Sequence, residues 1–339
     1  MRRENLTVES AREAALPGFK EPAVVRTFDA PEALGTRFYE VRARSAINEV
    51  PKRSRMPFRY TINPYRGCSH ACVYCFARPT HTYLDFNARE DFERQIVVKV
   101  NVPELLRAEL GRPSWRGEHV ALGTNTDPYQ WVEGRYELMP GIWEAMRDFS
   151  NPCSVLTKSP LLLRDLELMR EIAQRTEFTA NLSIPTLDEK AWRATEPHTP
   201  HPRKRIEAVA ELKRAGVRTG VLIAPLIPGV NDSPDQVQPL LDLLGEAGAD
   251  SIGGVALHLR GEVRDIWFDW LREHRPDLLP GYEELYERGA YMSRPEADRL
   301  AAMVRHGRRG GASRGFRQRA SAPSDEGLSP PPERQPRLF

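Results

Sequence analysis

The chain has 339 residues, a formal charge of +2, 40% hydrophobic residues and a mean hydropathy of −0.54. That length holds one large α/β domain or two small ones. No run of 18 apolar residues occurs, which excludes a bilayer-spanning helix, and the opening MRRENLTVESAREAALPG lacks the apolar stretch of a secretion signal. The expected location is therefore the cytoplasm, where thiols stay reduced and clustered cysteines read as a metal site rather than a disulfide framework.

Residues 1–50 read as an N-terminal extension in which FYEVRARSAINEV holds a short strand or helix. Residues 51–305 read as the folded body, ending in a weaker helix pair, GYEELYERGAYM and SRPEADRLAAMVRHG. Residues 306–339 form a basic, proline-rich tail; without valine or isoleucine from Gly307 onward it is expected to be disordered.

Within the body, FRYTINPY alternates as a strand and is closed by Pro64 and Gly67 just before Cys68. Strand-like runs then start at residues 96, 119, 154, 177, 217 and 251, each followed by a segment of helical periodicity. Pro103, Pro160 and Ser233-Pro234 mark helix starts, and Gly111 and Gly216 mark helix ends. Six strands carried by intervening helices predict a parallel α/β arrangement. A closed eight-stranded barrel needs two more units, which residues after 276 do not supply, so a partial (β/α)6 barrel is expected.

Cys68, Cys72 and Cys75 are spaced C-x3-C-x2-C in a loop placed beyond a strand's carboxyl end, where α/β folds hold ligands. Three thiolates can take three corners of a [4Fe-4S] cubane and leave one iron open. Zinc competes, with His70 or His81 as a fourth ligand in a Cys3His site. The remaining cysteine, Cys153, precedes a strand and is expected at the opposite end of the barrel. Arg42, Arg44, Lys52, Arg53, Arg55, Arg59 and Arg66 make a basic approach to the cysteines, either a solvated face or an attraction for a polyanion. Tyr65, Tyr74, Tyr83, Tyr129 and Trp131 cluster around the expected mouth, to pack loops or to stack on substrate.

CSHACVYCF resembles the signature of the radical S-adenosylmethionine (SAM) superfamily, with Tyr74 and Phe76 at the aromatic positions flanking its third cysteine. The stretches NPYRGCSHACVYCFARPTH, GTNTDPYQWVE and VLIAPLIPGVND resemble the branch related to spore photoproduct lyase, and more narrowly an actinobacterial subfamily of it, across roughly residues 35–305. The resemblance implies a [4Fe-4S] cluster and SAM as cofactors, and a one-electron reductant of the ferredoxin or flavodoxin type as partner. It also implies reductive SAM cleavage followed by hydrogen abstraction from a substrate, with nucleic acid, peptide and small molecule all open.

On that resemblance Thr124 and Thr126 are candidate contacts of the SAM ammonium and Asp127 its counter-charge, although Asp127-Pro128 also reads as a turn. Lys158 is the candidate partner of the SAM carboxylate and Ser183 of the ribose, with Asn181 on the same strand face; ordinary strand-end capping competes for each. Pro225, Ile227 and Asn231 belong to a stretch expected to hold adenine or to fill the barrel interior. Glu196, with Arg203 or Arg205, reads as an order-giving pair near the SAM carboxylate or as a surface ion pair. Tyr74 and His258, the latter ending the sixth strand, are the candidate catalytic side chains. A cluster-bearing electron-transfer or interaction protein and a zinc-stabilised nucleic-acid-binding module are the competing functions.

Overall fold

The computed structural model describes residues 12–15, 22–52, 54 and 56–306. The tail from residue 307, and Arg53 and Arg55 of the basic approach, lie outside the described residues. The strands are β1 (Arg12–Ala15), β2 (Pro22–Arg26), β3 (Arg37–Val41), β4 (Ile47–Glu49), β5 (Tyr60–Ile62), β6 (Tyr65–Arg66), β7 (Gln95–Lys99), β8 (Val120–Leu122), β9 (Cys153–Thr157), β10 (Phe178–Ser183), β11 (Thr219–Leu226) and β12 (Ser251–Ala256). Helices α1 (Glu90–Arg94) and α2 (Val102–Leu110) precede β8, and α3 (Glu133–Tyr136) and α4 (Leu138–Asp148) connect β8 to β9. Then α5 (Leu166–Arg175) leads to β10, α6 (Glu189–Thr195) and α7 (Pro202–Arg214) to β11, and α8 (Pro234–Glu246) to β12. The chain closes with α9 (Val263–His274), α10 (Leu279–Leu285) and α11 (Arg294–His306).

Six parallel strands lie in the order β5-β8-β9-β10-β11-β12, with β4 antiparallel on the free side of β5. The two ends of this sheet, β4 and β12, are not hydrogen-bonded to each other. The sheet is thus an open (β/α)6 barrel, as expected. One member differs from expectation. The run 96–101, counted as the first barrel strand, belongs to a second sheet of order β1-β2-β3-β7-β6, and Tyr60–Ile62 takes its place in the barrel. The reason is physical: Ile96, Val97 and Val98 are all fully buried, because β7 has packed cores on both of its faces. A strand buried on both faces has the same apolar run in either sheet.

Local chemistry explains the helix starts. Ser233 and Gln236 form a reciprocal capping box ahead of Pro234 in α8. Helix α4 begins despite Pro140 because the buried Glu133 carboxylate accepts from the amides of Leu138 (3.1 Å) and Met139 (3.0 Å), and a proline in the first turn has no partner to lose. Its apolar face buries Met139, Ile142, Trp143 and Met146 in the main core and Leu138 in a separate cluster with Phe38 and Tyr65. The weak pair at the end of the body is shorter than its pattern suggests: α10 stops at Leu285, and Gly289, at φ +130, turns the chain so that Tyr291 bridges His258.

Candidate active site

The three-cysteine loop runs out of β6, and its entry is held by glycine. Gly67 has φ +77, and a Cβ there would lie 2.9 Å from the Phe92 carbonyl oxygen and 2.9 Å from Ile96. The close approach lets the Cys68 amide donate to that same Phe92 carbonyl at 2.9 Å. The Arg78 side chain, 2% exposed, then fastens the loop from beneath: its guanidinium donates to the carbonyls of Ala71 (3.0 Å), Cys72 (2.9 Å), Ala88 (3.2 Å) and Arg89 (3.0 Å), and pairs with Glu93. Gln130, fully buried, holds it from the β8 side, accepting from the Ser69 amide at 2.9 Å and donating to the Gly67 carbonyl at 3.1 Å. Neither residue was legible as functional in the sequence, where a lone Arg and a lone Gln beside aromatic residues carry no spacing signal.

The three thiols form no disulfide, and Cys68 and Cys72 are buried. Burial pushes the Cys72 thiol well above its ordinary value, with the carboxylate of Glu196 adding to it. Burial and the neighbouring Cys68 push Cys75 up to about 11. Three thiolates in such a place need compensating positive charge, which cluster iron provides. Among the described residues no three His, Cys, Asp or Glu side chains converge on a single ion, whereas a cubane takes each thiolate at a different corner. The donor set, three thiolates on one loop, therefore suits an iron–sulfur cubane.

The loop after β8 faces the cysteines. Gly123 there has φ +75, and a Cβ would fall 1.9 Å from the Leu156 carbonyl oxygen, so this strand end can pass β9 only as glycine. Thr124 is partly exposed and its hydroxyl makes no hydrogen bond among the described residues. Thr126 is buried and donates to the Tyr65 carbonyl at 2.9 Å. Asp127 accepts from the Tyr129 amide (2.9 Å), the Thr157 hydroxyl (2.6 Å) and the Lys158 amide (2.7 Å), and lies 3.3 Å from His70. Burial by itself raises its carboxyl, but His70, Thr157 and the Lys158 amide together hold it below the usual carboxylate range. The turn reading and the charge reading of Asp127 thus coexist in one side chain.

Beyond β9 and β10 lies a buried ionic node. The Lys158 ammonium donates to Ser183 Oγ at 2.8 Å and to Glu196 at 2.6 Å, and sits 5.6 Å over the Tyr74 ring. Tyr74 donates its hydroxyl to the same carboxylate. Arg205 pairs with Glu196 at 2.7 Å, both with no exposed surface, and also donates to the Ser183 carbonyl at 2.9 Å. The partner of Glu196 is therefore Arg205 rather than Arg203, and the pair is buried rather than superficial. Burial opposes ionisation of Glu196, yet Arg205 and Lys158 bring it down to about 2. Burial together with Glu196 pushes the Tyr74 phenol well above its ordinary value.

The remaining candidates are placed as follows. Asn181 donates to the Val155 carbonyl at 3.1 Å and packs over Gly220, where a Cβ would meet its Oδ1 at 2.2 Å. Pro225 lies near the carboxyl end of β11 and the buried Ile227 just beyond it, and Asn231 ties this stretch down by accepting from the Ile227 amide (2.6 Å) and donating to the carbonyls of Pro185 (2.8 Å) and Pro225 (3.0 Å). Ser183 donates its hydroxyl to the Ala224 carbonyl of β11 at 3.1 Å. His258 stands apart, stacked between Phe76 and Tyr291. Cys153 opens β9 at the opposite end from Lys158, buried, its thiol raised by that burial. Of the aromatic cluster, Tyr65, Tyr74 and Tyr129 are buried and only Tyr83 is among the exposed large apolar residues; of the basic approach, Arg66 is buried.

Comparison with known proteins places the chain in a family. Residues 62–244 match the model of the Radical SAM superfamily. An uncharacterised protein of Mycobacterium tuberculosis (strain ATCC 25618 / H37Rv) is 48% identical over 280 residues, covering 83% of this chain and 82% of its own. An uncharacterised protein of Methanocaldococcus jannaschii is 28% identical over 194 residues, covering 57% and 69%. Spore photoproduct lyase complexed with dinucleoside spore photoproduct shares the fold, with a TM-score of 0.61, 16% identity and coverage of 80% of this chain and 78% of that one. No helix among the described residues is long and apolar enough to cross a membrane. The family match spans β5 through α8 and takes in the cysteine loop, the β8 turn and the ionic node, and on it the chain belongs to the radical SAM superfamily: an enzyme whose cofactors are a [4Fe-4S] cluster and SAM.

Proposed function

We propose that Cys68, Cys72 and Cys75 hold the cluster and that the enzyme cleaves SAM reductively to abstract hydrogen from a substrate. A cluster held there would supply the one-electron chemistry for reductive cleavage of SAM and for hydrogen abstraction from the substrate. The observation that carries the reading is the placement of Lys158 and Ser183, 2.8 Å apart, at the carboxyl ends of β9 and β10 beneath Tyr74 of the cysteine loop. Catalytic groups of barrel folds come from that edge.

In this reading the chain's own residues bind and orient. Lys158 pairs with the SAM carboxylate while Glu196 and Tyr74 fix its position, and Ser183 and Asn181 line the ribose side. Thr124 offers its hydroxyl to the SAM ammonium, with Thr126 and Asp127 shaping the turn that presents it. Pro225 and Ile227 give adenine an apolar wall that Asn231 keeps in place. Tyr74, buried and protonated, is a positioning group, and His258 faces the substrate side. A ferredoxin- or flavodoxin-type protein delivers the electron, and the reduced thiols fit a cytoplasmic setting.

The test is anaerobic reconstitution with iron and sulfide, then incubation with SAM and dithionite. Stoichiometric methionine and 5′-deoxyadenosine are expected, and Cys72→Ala should lose both iron and turnover. A fully loaded protein that leaves SAM intact and shows no spectral change on its addition would mark an electron-transfer protein instead.

A further inference from the structure

Strands β6 and β7 carry two cations into the interior of the smaller sheet. Their antiparallel register sets Arg66 opposite Val97, and Lys99 lies two residues beyond Val97. Both side chains therefore leave the same face, as diagonal neighbours roughly 7–8 Å apart at the backbone. The parallel register with β3 adds Tyr39 and Val41 to that face, whereas Glu40 points to the other, where it bonds Tyr136. Arg66 is 6% exposed and Lys99 3%. Across the face lies the 3-10 helix Arg78–Leu84, which follows the cysteine loop; Leu84, and beyond it Phe86, pack with Tyr39, Val41 and Val97. His81 of this helix is buried and stacks on Phe86 at 5.0 Å, and its Nε2 has no hydrogen-bond partner among the described residues.

Lys99 is the side chain that this arrangement leaves unanswered. Its ammonium makes no hydrogen bond or ion pair among the described residues. Burial and the like charge of Arg66 hold it down to about 7, with no carboxylate of the described residues acting the other way. On the helix side Asp91 acts on His81 but not on Lys99, and it is already engaged by the Asn87 amide (2.9 Å) and side chain (2.6 Å). Tyr39 and Gln95, the other polar groups of the face, bond each other at 3.0 Å. Buried cations are kept where something pairs with them, and a buried polar atom without a partner points to a missing ion or water. We propose that Lys99, Arg66 and His81 bind a small inorganic oxyanion of the phosphate or sulfate class, which clamps the entry of the cysteine loop to its exit.

The donor set fits such an ion. A guanidinium fork and an ammonium supply charge-assisted bonds to separate oxygens. Burial, with Arg66 adding to it, brings the His81 imidazole down to about 4, so at neutral pH it offers an uncharged ring N–H. The position gives the ion its role. Arg66 stands two residues before Cys68, and His81 six residues after Cys75. Strand β6 is only two residues long and lies at the edge of its sheet, so a bridge from Arg66 to Lys99 and His81 ties the launching strand to β7 and to the helix beyond the loop. The site requires neither SAM nor its cleavage.

The experiment is anaerobic isothermal titration calorimetry of the full-length, cluster-loaded protein with potassium sulfate and, separately, potassium phosphate, at an ionic strength held constant with potassium chloride. A single anion per chain is expected, together with a raised thermal midpoint and, in saturating sulfate, slower bleaching of the cluster by a chelator. Lys99→Met removes one charge-assisted bond and should weaken sulfate roughly ten- to 150-fold. Methionine suits the apolar surroundings, and an undiminished thermal midpoint without anion shows that this variant is folded. Sulfate keeps its charge around neutral pH, so its pH profile reports the protein. Binding favours the charged ammonium, so affinity should be level below about pH 7 and fall above it, by up to about tenfold per pH unit. Lys99→Arg, whose charge is permanent, should bind sulfate without that fall. No binding of either anion at millimolar concentration, chloride serving as well as sulfate, or equal affinity of Lys99→Met and wild type would each overturn the site. Sulfate bound through Lys99 with no effect on cluster bleaching would overturn the clamp.

Discussion

Lys158 shares its ammonium between a buried carboxylate and a strand-end hydroxyl while keeping some contact with solvent, its side chain being 15% exposed. That partial exposure suits a cation meant to meet a second anion. On the proposed reading Lys158→Met removes one charge-assisted bond to SAM, worth about 1.5–3 kcal/mol, and should weaken SAM binding roughly ten- to 150-fold by titration of the cluster's SAM-induced spectral change. Glu196, facing Arg205 from α7, Lys158 beyond β9 and Tyr74 and Cys72 from the cysteine loop, has its carboxyl lowered from 4.5 to about 2. A depressed carboxyl contributes stability that is complete above its unfolded value and is lost as pH falls toward its folded value. The thermal midpoint should therefore drop as pH is lowered from about 4.5, and Glu196→Gln should start from a lower midpoint with a shallower acid slope. At this scale the sequence was legible where chemistry is rare: three cysteines in eight residues, an acidic turn and a strand-end lysine. It was silent on Arg78 and Gln130, because a staple is defined by the carbonyls it reaches, and those come from other segments.

The cysteine loop is a short element with little core of its own, held by polar anchors. Gln130 joins it to the β8 turn through Ser69 and Gly67, Arg78 joins it to the segment before α1, and the Val73 amide donates to the Thr195 carbonyl at the end of α6. Gln130→Ala would leave the part-buried Ser69 amide and the buried Gly67 carbonyl without their partner, at about 1–3 kcal/mol for the buried group. The expected result is a folded protein that takes up less iron on reconstitution and shows a smaller SAM-induced spectral change, read by iron assay and electron paramagnetic resonance. The start of α8 was legible, since Pro234 with Ser233 acts through neighbours in sequence, whereas the His201 cap ahead of Pro202 in α7 was not read there. The shortening of α10 was not, because the turn at Gly289 is tied to a distant partner, His258.

Across the molecule, the smaller sheet is more than an appendage. Phe38 of β3 is fully buried with Tyr65, Val98, Val132 and Leu138, and its ring meets Phe28 at 5.2 Å and Trp131 at 6.1 Å. This cluster joins the sheet that launches the cysteine loop to the segment that leads from the β8 turn into α4. Phe38→Ala should cost about 3–5 kcal/mol of stability and, because Tyr65 and Val132 share the cavity, should lower cluster retention as well as the thermal midpoint. Retention unchanged at a lowered midpoint would show that the two sheets are energetically separate. By itself the sequence determined the superfamily, through the CSHACVYCF motif, and the repeating βα pattern, because a short motif and a hydrophobic period are local properties of a chain. Only the tertiary structure decided which strand opens the barrel, which arginine meets Glu196 and which aromatic rings stay in solvent. Each of those depends on segments far apart in the chain arriving at one place, and burial looks the same in sequence whichever neighbour provides it.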